Sequence, residues 1–239
     1  MRLGVLQCGY PPDLVRETHG DFAAMFTRLF APHDVEIVTY NVVDMVFPEG
    51  ITDCDAWLVS GSKHGAYEDH AFIPPLEEFI RDCHTEGRRM VGICFGHQII
   101  AQALGGRVEK YAGGWSVGRR AYDFGTLGTL HLNAWHQDQV VALPQGAEVV
   151  ASNPTCANAA LLYGDTILTL QPHPEITNPV VSDYLRAFDG SPAYPPEVLD
   201  AARAQGGQPN DETTVGAMLA AFLRDGRGAL DQRDPSAHL

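Results

Sequence analysis

The segment Val91-Gly92-Ile93-Cys94-Phe95-Gly96-His97-Gln98 places a cysteine between two glycines, in the spacing Gly-x-Cys-x-Gly. A short apolar run precedes it and a run with helical periodicity follows, the setting in which this pentapeptide forms a nucleophile elbow. Glycine removes Cβ atoms where strand and helix must pass closely, so the residue between them projects from a sharp, strained turn. The helix start presents its positive end there, which suits a nucleophilic sulfur, and the Phe95 N–H can point at a developing oxyanion. The plain alternative is a buried cysteine in an ordinary strand-to-helix turn, because cysteine is among the most buried residue types.

A thiol nucleophile needs a base, and the chain has ten histidines. Most read as surface or loop residues. One follows directly on an apolar run, in Leu170-Gln171-Pro172-His173-Pro174-Glu175. A histidine at the C-terminal end of a strand lies on the edge where α/β sheets keep their sites. Glu175, two residues on, is close enough to accept from one imidazole nitrogen, which would fix the tautomer and favour the imidazolium. The flanking prolines stiffen that loop. Elsewhere, His64, Glu68, Asp69 and His70 crowd one loop, but their spacing matches no standard ligand set and no metal is expected. His97, within the elbow, reads as a capping or packing residue.

These residues need a scaffold, and the pattern supplies one. Leu3 to Cys8, Val35 to Val43, Ala56 to Val59 and Arg89 to Ile93 read as strands. Between them, Phe22, Met25, Phe26, Leu29 and Phe30 form one helical face, and Leu76, Phe79, Ile80 and Cys83 another after Pro74-Pro75. Ile99, Ile100, Ala103 and Leu104 mark the helix after Cys94, ending at Gly105-Gly106. Alternating strands and helices imply an α/β fold, a mostly parallel central sheet flanked by helices. From Gly113 to Thr169 short β-like pieces separated by Gly, Pro and Asn read as antiparallel hairpins added to it. Val180 to Phe188 and Val215 to Leu223 read as further helices, and Gly190 to Pro196 as a loop. The expected organisation is one domain over 1–239: a core over about 1–190, a helical extension over about 191–226 and a flexible tail over 227–239.

Composition narrows the classes. The 239 residues carry 16 Lys+Arg against 30 Asp+Glu, a net charge of −14, which argues against a nucleic-acid binder. The acidity is spread along the chain and reads as a solvated surface. The N-terminal apolar run is too short for a signal peptide, and no apolar stretch is long enough to span a membrane. The five cysteines are an odd number with no Cys-x-x-Cys pair, which fits reduced thiols and a cytoplasmic location better than a disulfide framework or zinc site.

Together, Gly92-Ile-Cys-Phe-Gly-His-Gln98 and Gln171-Pro-His-Pro-Glu175 resemble the class I glutamine amidotransferase family, from the first strand to about Glu175, and its stand-alone, GMP-synthase-like branch most. Leu58-Val-Ser-Gly-Ser-Lys63 looks like the loop that completes the family's oxyanion hole, and Ala134-Trp-His-Gln-Asp-Gln-Val140 like its second substrate loop. The resemblance implies that Cys94 attacks a γ-glutamyl carbonyl, that His173 carries the proton and that Glu175 orients His173. It places the oxyanion on the N–H groups of Phe95 and Ser62 (or Gly61). It puts Gln98 and the main chain of Trp135, Gln137 and Asp138 at the amino-acid end of a small-molecule substrate. Ser62 departs from the glycine frequent at its position, and the match at 135–138 is looser. No cofactor is implied. The stretch after Glu175 is too short for a synthase domain, so the expectations are a glutaminase acting with a separate synthase chain, or a γ-glutamyl peptidase or hydrolase acting alone.

Overall fold

In a computed structural model, residues 1–231 are described; the expected tail beyond Asp231 lies outside them. The chain runs β1 (Arg2–Leu6), α1 (Asp13–His19), α2 (Phe22–Phe30), β2 (Glu36–Tyr40), β3 (Ala56–Val59), α3 (Ile73–Thr85), β4 (Met90–Ile93), α4 (Phe95–Ala103), β5 (Arg107–Lys110), β6 (Ser116–Asp123), β7 (Thr129–His136), β8 (Asp138–Ala142), β9 (Ala147–Asn153), β10 (Cys156–Tyr163), β11 (Ile167–Leu170), α5 (Asn178–Ala187), α6 (Pro196–Ala204), α7 (Glu212–Asp225) and α8 (Gly228–Asp231).

Nine strands form one sheet in the order β2-β1-β3-β4-β11-β10-β9-β6-β7. The first five are parallel; from β10 onward the pairing is antiparallel. The expected α/β architecture with a parallel core is therefore present, and, β8 apart, the antiparallel strands expected after Gly113 extend the same sheet. The sequence pattern groups β11 with the antiparallel pieces, yet this strand joins the two regimes: it lies parallel to β4 and antiparallel to β10. Its residues are buried on both faces, as a central strand requires, which a four-residue apolar run does not reveal by itself. β5 and β8 form a separate two-stranded sheet.

Both sheet faces are covered. Leu58, Val91 and Leu170 pack with α2, α5 and α7 on one side; Trp57, Val59 and Met90 pack with α3 and α4 on the other. Alternate residues of β3 thus feed opposite cores, which is why that strand reads as an unbroken apolar run. The stripe Phe22-Met25-Phe26-Phe30 is buried, and the Asp21 carboxylate caps α2 by accepting from the Ala24 N–H at 2.9 Å. Two helices escape the periodicity. α1 buries only Val15, and α6, which follows the Gly190–Pro196 loop, buries only Leu199 and Ala202. The strand expected over 35–43 stops at Tyr40, and a short 3-10 turn follows at Val42–Asp44. Arg227, the expected start of a flexible tail, pairs with Glu148 and precedes α8.

The tightest point of the fold is the β4-to-α4 turn. Cys94 is the N-cap of α4, with φ 53° and ψ −102°, a positive-φ backbone that a non-glycine residue holds at a cost of about 1–3 kcal/mol. A Cβ on Gly96 would lie 2.1 Å from the Val59 carbonyl oxygen, and one on Gly92 would lie 2.6 Å from that of Gly96. Gly96→Ala should therefore destabilise the protein by about 2–3 kcal/mol, seen by calorimetry as a Tm lowered by roughly 4–12 °C. Gly50→Ala, with open space around it, should melt with the parent protein. Equal melting of the Gly96 and Gly50 variants would show that the turn is not constrained as described.

Candidate functional site

β3, β4 and β11 are neighbours, in the register Val59–Gly92–Thr169, so the loops leaving their C-terminal ends emerge side by side. These loops carry Gly61 and Ser62, Cys94, and His173. The Cys94 N–H donates to the Leu170 carbonyl at 2.8 Å, which ties the elbow to the strand that delivers His173. Cys94, His173 and Glu175 are 5%, 4% and 3% exposed, so all three are shielded from bulk water.

His173 Nδ1 lies 2.7 Å from Glu175 Oε1. Burial works against a charged imidazole there, but the Glu175 carboxylate and then Cys94 outweigh it and push the His173 pKa up to about 10. The loop that holds the ring is pinned from β7. The His173 N–H donates to the Asn133 carbonyl at 2.8 Å, and Asn133 Nδ2 donates to the Ile176 carbonyl at 2.8 Å. Asn133 carries no signal in the sequence; only strand pairing makes it a neighbour of His173.

One cavity of about 570 Å³ opens on these residues, with Cys94, His173, Ser62, Gln98, Trp135, Gln137 and Asp138 in its lining. Gly61 packs against the imidazole: a Cβ there would meet His173 Cε1 at 3.1 Å. Phe95 buries its side chain and begins α4. Gln98 holds the wall together. Its Nε2 donates to the Asp138 carbonyl at 2.8 Å and to Gln171 Oε1 at 3.1 Å. Both of its donor hydrogens are thus engaged, which leaves only its oxygen for a ligand. Gln171 gains a structural task in this way, since the two motifs are joined directly through it.

The neighbouring histidines are neutral. His97 is buried against Thr169 Oγ1 at 2.8 Å, and burial pulls its pKa down to about 3; His136 is lowered to about 3 by burial and then by His173. His97 is therefore a packing residue, as its position suggests. In the loop after β3, Glu68 sits 2.8 Å from His70 and 3.8 Å from His64, and the three offer ligand atoms within 4.8 Å of one another. This is the group among the described residues able to hold a metal ion; Asp69, expected in the same loop, is not part of it.

Sequence reasoning passes over two features of the cavity. Its wall contains Trp115, Tyr184, Phe188 and Tyr194 beside Trp135. These residues come from the turn before β6, from β7, from α5 and its C-cap, and from the loop before α6, with no common period. The chain has two lysines, Lys63 and Lys110, and both line this cavity.

A doubly covered α/β sheet with a cysteine elbow and a His–Glu pair at its C-terminal edge has the layout in which open α/β sheets gather a site. The glutamine amidotransferase class-I family model matches residues 23–188, and the chain belongs to that family. Among its relatives, γ-glutamyl peptidase 3 of Arabidopsis thaliana is 28% identical over 185 residues, covering 71% of this chain and 74% of the relative. A glutamine-hydrolyzing GMP synthase subunit of Halobacterium salinarum is 32% identical over 176 residues, covering 69% and 89%. In fold, a glutamine amidotransferase from Thermotoga maritima superposes with a TM-score of 0.73 at 19% identity, covering 94% of this chain and 96% of that one. No helix among the described residues is long and apolar enough to cross a membrane.

Glu175 supplies the largest influence that raises the His173 pKa. Below that pKa the ring is charged, so removing the carboxylate must let the proton leave at lower pH. In Glu175→Gln the His173 titration midpoint, followed by the Cε1 proton shift in NMR, should fall by about 1–3 pH units. An unmoved midpoint would mean that Glu175 does not hold the imidazolium.

Proposed function

We propose that the protein is a cysteine-dependent hydrolase that breaks the γ-amide bond of glutamine or of another γ-glutamyl compound through a γ-glutamyl thioester. The observation that carries this reading is the seating of Cys94 at the start of α4, in one cavity with an imidazole held by Glu175 at 2.7 Å.

The chemistry follows from the placement. Cys94 Sγ attacks the γ-carbonyl carbon, and the negative charge moves onto the carbonyl oxygen. The N–H groups of Phe95 and of Ser62 or Gly61 receive that oxyanion, a contribution worth roughly 10²–10³ in rate per donor. The C–N bond then breaks, and the imidazolium of His173 gives its proton to the departing nitrogen. Neutral His173 next takes a proton from water, the resulting hydroxide attacks the thioester, and glutamate leaves as the thiolate–imidazolium pair is restored. Glu175 keeps the imidazole in one tautomer throughout. Gln98, through its oxygen, and the main chain of Trp135, Gln137 and Asp138 receive the amino-acid end of the substrate. The reaction needs water and no cofactor.

Two leaving groups fit this sequence of steps. With glutamine the product is ammonia, passed on to a separate synthase chain, in line with the likeness to the GMP synthase subunit of Halobacterium salinarum. With a γ-glutamyl amide or peptide the product is an amine, in line with the likeness to γ-glutamyl peptidase 3. The cavity favours the second: 570 Å³ lies in the range of pockets that enclose drug-sized ligands, more than glutamine alone requires.

Cys94→Ala should lower ammonia release from glutamine and amine release from γ-glutamyl dipeptides by about 10⁴-fold or more, as loss of a nucleophile does elsewhere. Mass spectrometry of the parent protein, quenched with substrate, should find a glutamyl adduct on the peptide containing Cys94. Undiminished turnover by Cys94→Ala would end the proposal. Turnover of glutamine that appears only when a synthase chain is added would favour the ammonia-supplying reading.

A further inference from the structure

The rings in the cavity wall form a continuous cluster. Trp115 and Tyr194 have centroids 4.4 Å apart, Phe188 and Tyr194 4.8 Å, Trp135 and Tyr184 4.9 Å, and Trp135 and Phe188 5.7 Å. Trp135 meets Tyr194 edge-on at 5.6 Å, and its indole N–H donates to the Tyr194 hydroxyl at 3.1 Å. That hydrogen bond satisfies the indole donor and fixes the angle of the wall. All five residues line the cavity that holds Cys94 and His173.

Packing alone does not account for this arrangement. Tyr184 and Tyr194 are buried, but Trp115, Trp135 and Phe188 remain partly exposed, although each packs on the core. Large apolar rings left open at a concave site cost free energy that a ligand recovers by covering them. Rigid rings also lose little conformational entropy when they bind, and they prefer offset or edge-to-face partners, which aromatic ligands supply.

We propose that this wall is a subsite for the amine portion of the substrate, and that the protein prefers γ-glutamyl compounds whose amine carries an aromatic ring. The inference rests on the γ-glutamyl reading above. In such a compound the glutamyl end is common to every substrate, so the surplus cavity can only discriminate the group on the other side of the scissile bond. That group leaves as the neutral amine once His173 has protonated its nitrogen, and water completes the release of glutamate. The ring of the amine then packs on Trp115, Phe188 and Tyr194, while the γ-carbonyl stays at Cys94.

The test compares γ-glutamylphenylalanine with γ-glutamylglycine, which share every charge and differ in the ring. The parent protein should hydrolyse the first with kcat/KM at least about 10-fold higher, the scale set by filling or leaving empty an apolar pocket. In Phe188→Ala that ratio should collapse toward one; if this variant fails to fold, Trp115→Leu carries the same comparison. Equal kcat/KM for the two dipeptides, with both cleaved through Cys94, would overturn the subsite and leave the γ-glutamyl reading standing. A second arm needs no turnover: each dipeptide is titrated into Cys94→Ala and followed by tryptophan emission. Tighter binding of γ-glutamylphenylalanine, lost in the Cys94→Ala, Phe188→Ala double variant, supports the wall even where the parent cleaves neither compound, an outcome that would instead sink the proposed reaction. Equal binding of both dipeptides would count against the wall.

Discussion

The close approach of Gly96 to the Val59 carbonyl sets the geometry on which the site depends. With no side chain at Gly92 or Gly96, α4 can start almost in contact with β3, and the chain must reverse through a single residue, Cys94, at φ 53°. The strain stored in that residue is carried by its surroundings: β4 lies between β3 and β11, and its backbone is bonded on both sides. Adjacent parallel strands also end on the same edge. That is why a loop from near residue 61, another from 94 and a third from 173 meet, although they are far apart along the chain.

What the sheet brings together, side chains then lock. Gln98, one turn into α4, donates to Gln171 and to the Asp138 carbonyl, so the elbow, the histidine loop and the β7–β8 connection are fixed relative to one another. Asn133 does the same for the His173 backbone. The pair of His173 with Glu175 is more demanding. Taking two charges out of water is costly, and removing one partner of such a pair typically costs about 3–5 kcal/mol because the other is left buried and uncompensated. A charged imidazole beside a thiol is useful for acyl transfer, and burial keeps its field from being screened.

Much of this is legible in the sequence, for a physical reason. An elbow requires glycines at fixed offsets from its nucleophile, and a histidine at a strand end needs an orienting group close by. Both constraints are local, so both leave contiguous signatures: 92–96 and 171–175. Long helices such as α2, α3 and α7 announce themselves by periodic burial. α1 and α6 do not, because each buries one or two residues and is held by its neighbours rather than by its own stripe. β11 is recognisable as a strand but not as the one that turns the sheet from parallel to antiparallel, since pairing direction is a property of partners. The aromatic wall is invisible for the same reason: its five rings span positions 115 to 194 on separate segments and meet only through the fold.

Composition misleads at the site. A net charge of −14 describes the average surface, and nothing in that average hints at cations gathered in one cavity. Yet Lys63, Lys110 and Arg16 line it against Asp13 and Asp138, and the chain's two lysines are both there. Arg16 donates to Asp13 at 2.9 Å, and Asp138 lies in the field of both Lys110 and the Glu68 carboxylate. Clefts concentrate field lines, so a few cations inside one outweigh many acids spread over the exterior for a molecule approaching that opening. Under the γ-glutamyl reading every substrate brings a carboxylate. Glutamine itself has no net charge, because its α-ammonium balances that carboxylate, so the lysines act on the orientation of the molecule, offering the opposite sign to its carboxylate end where it enters.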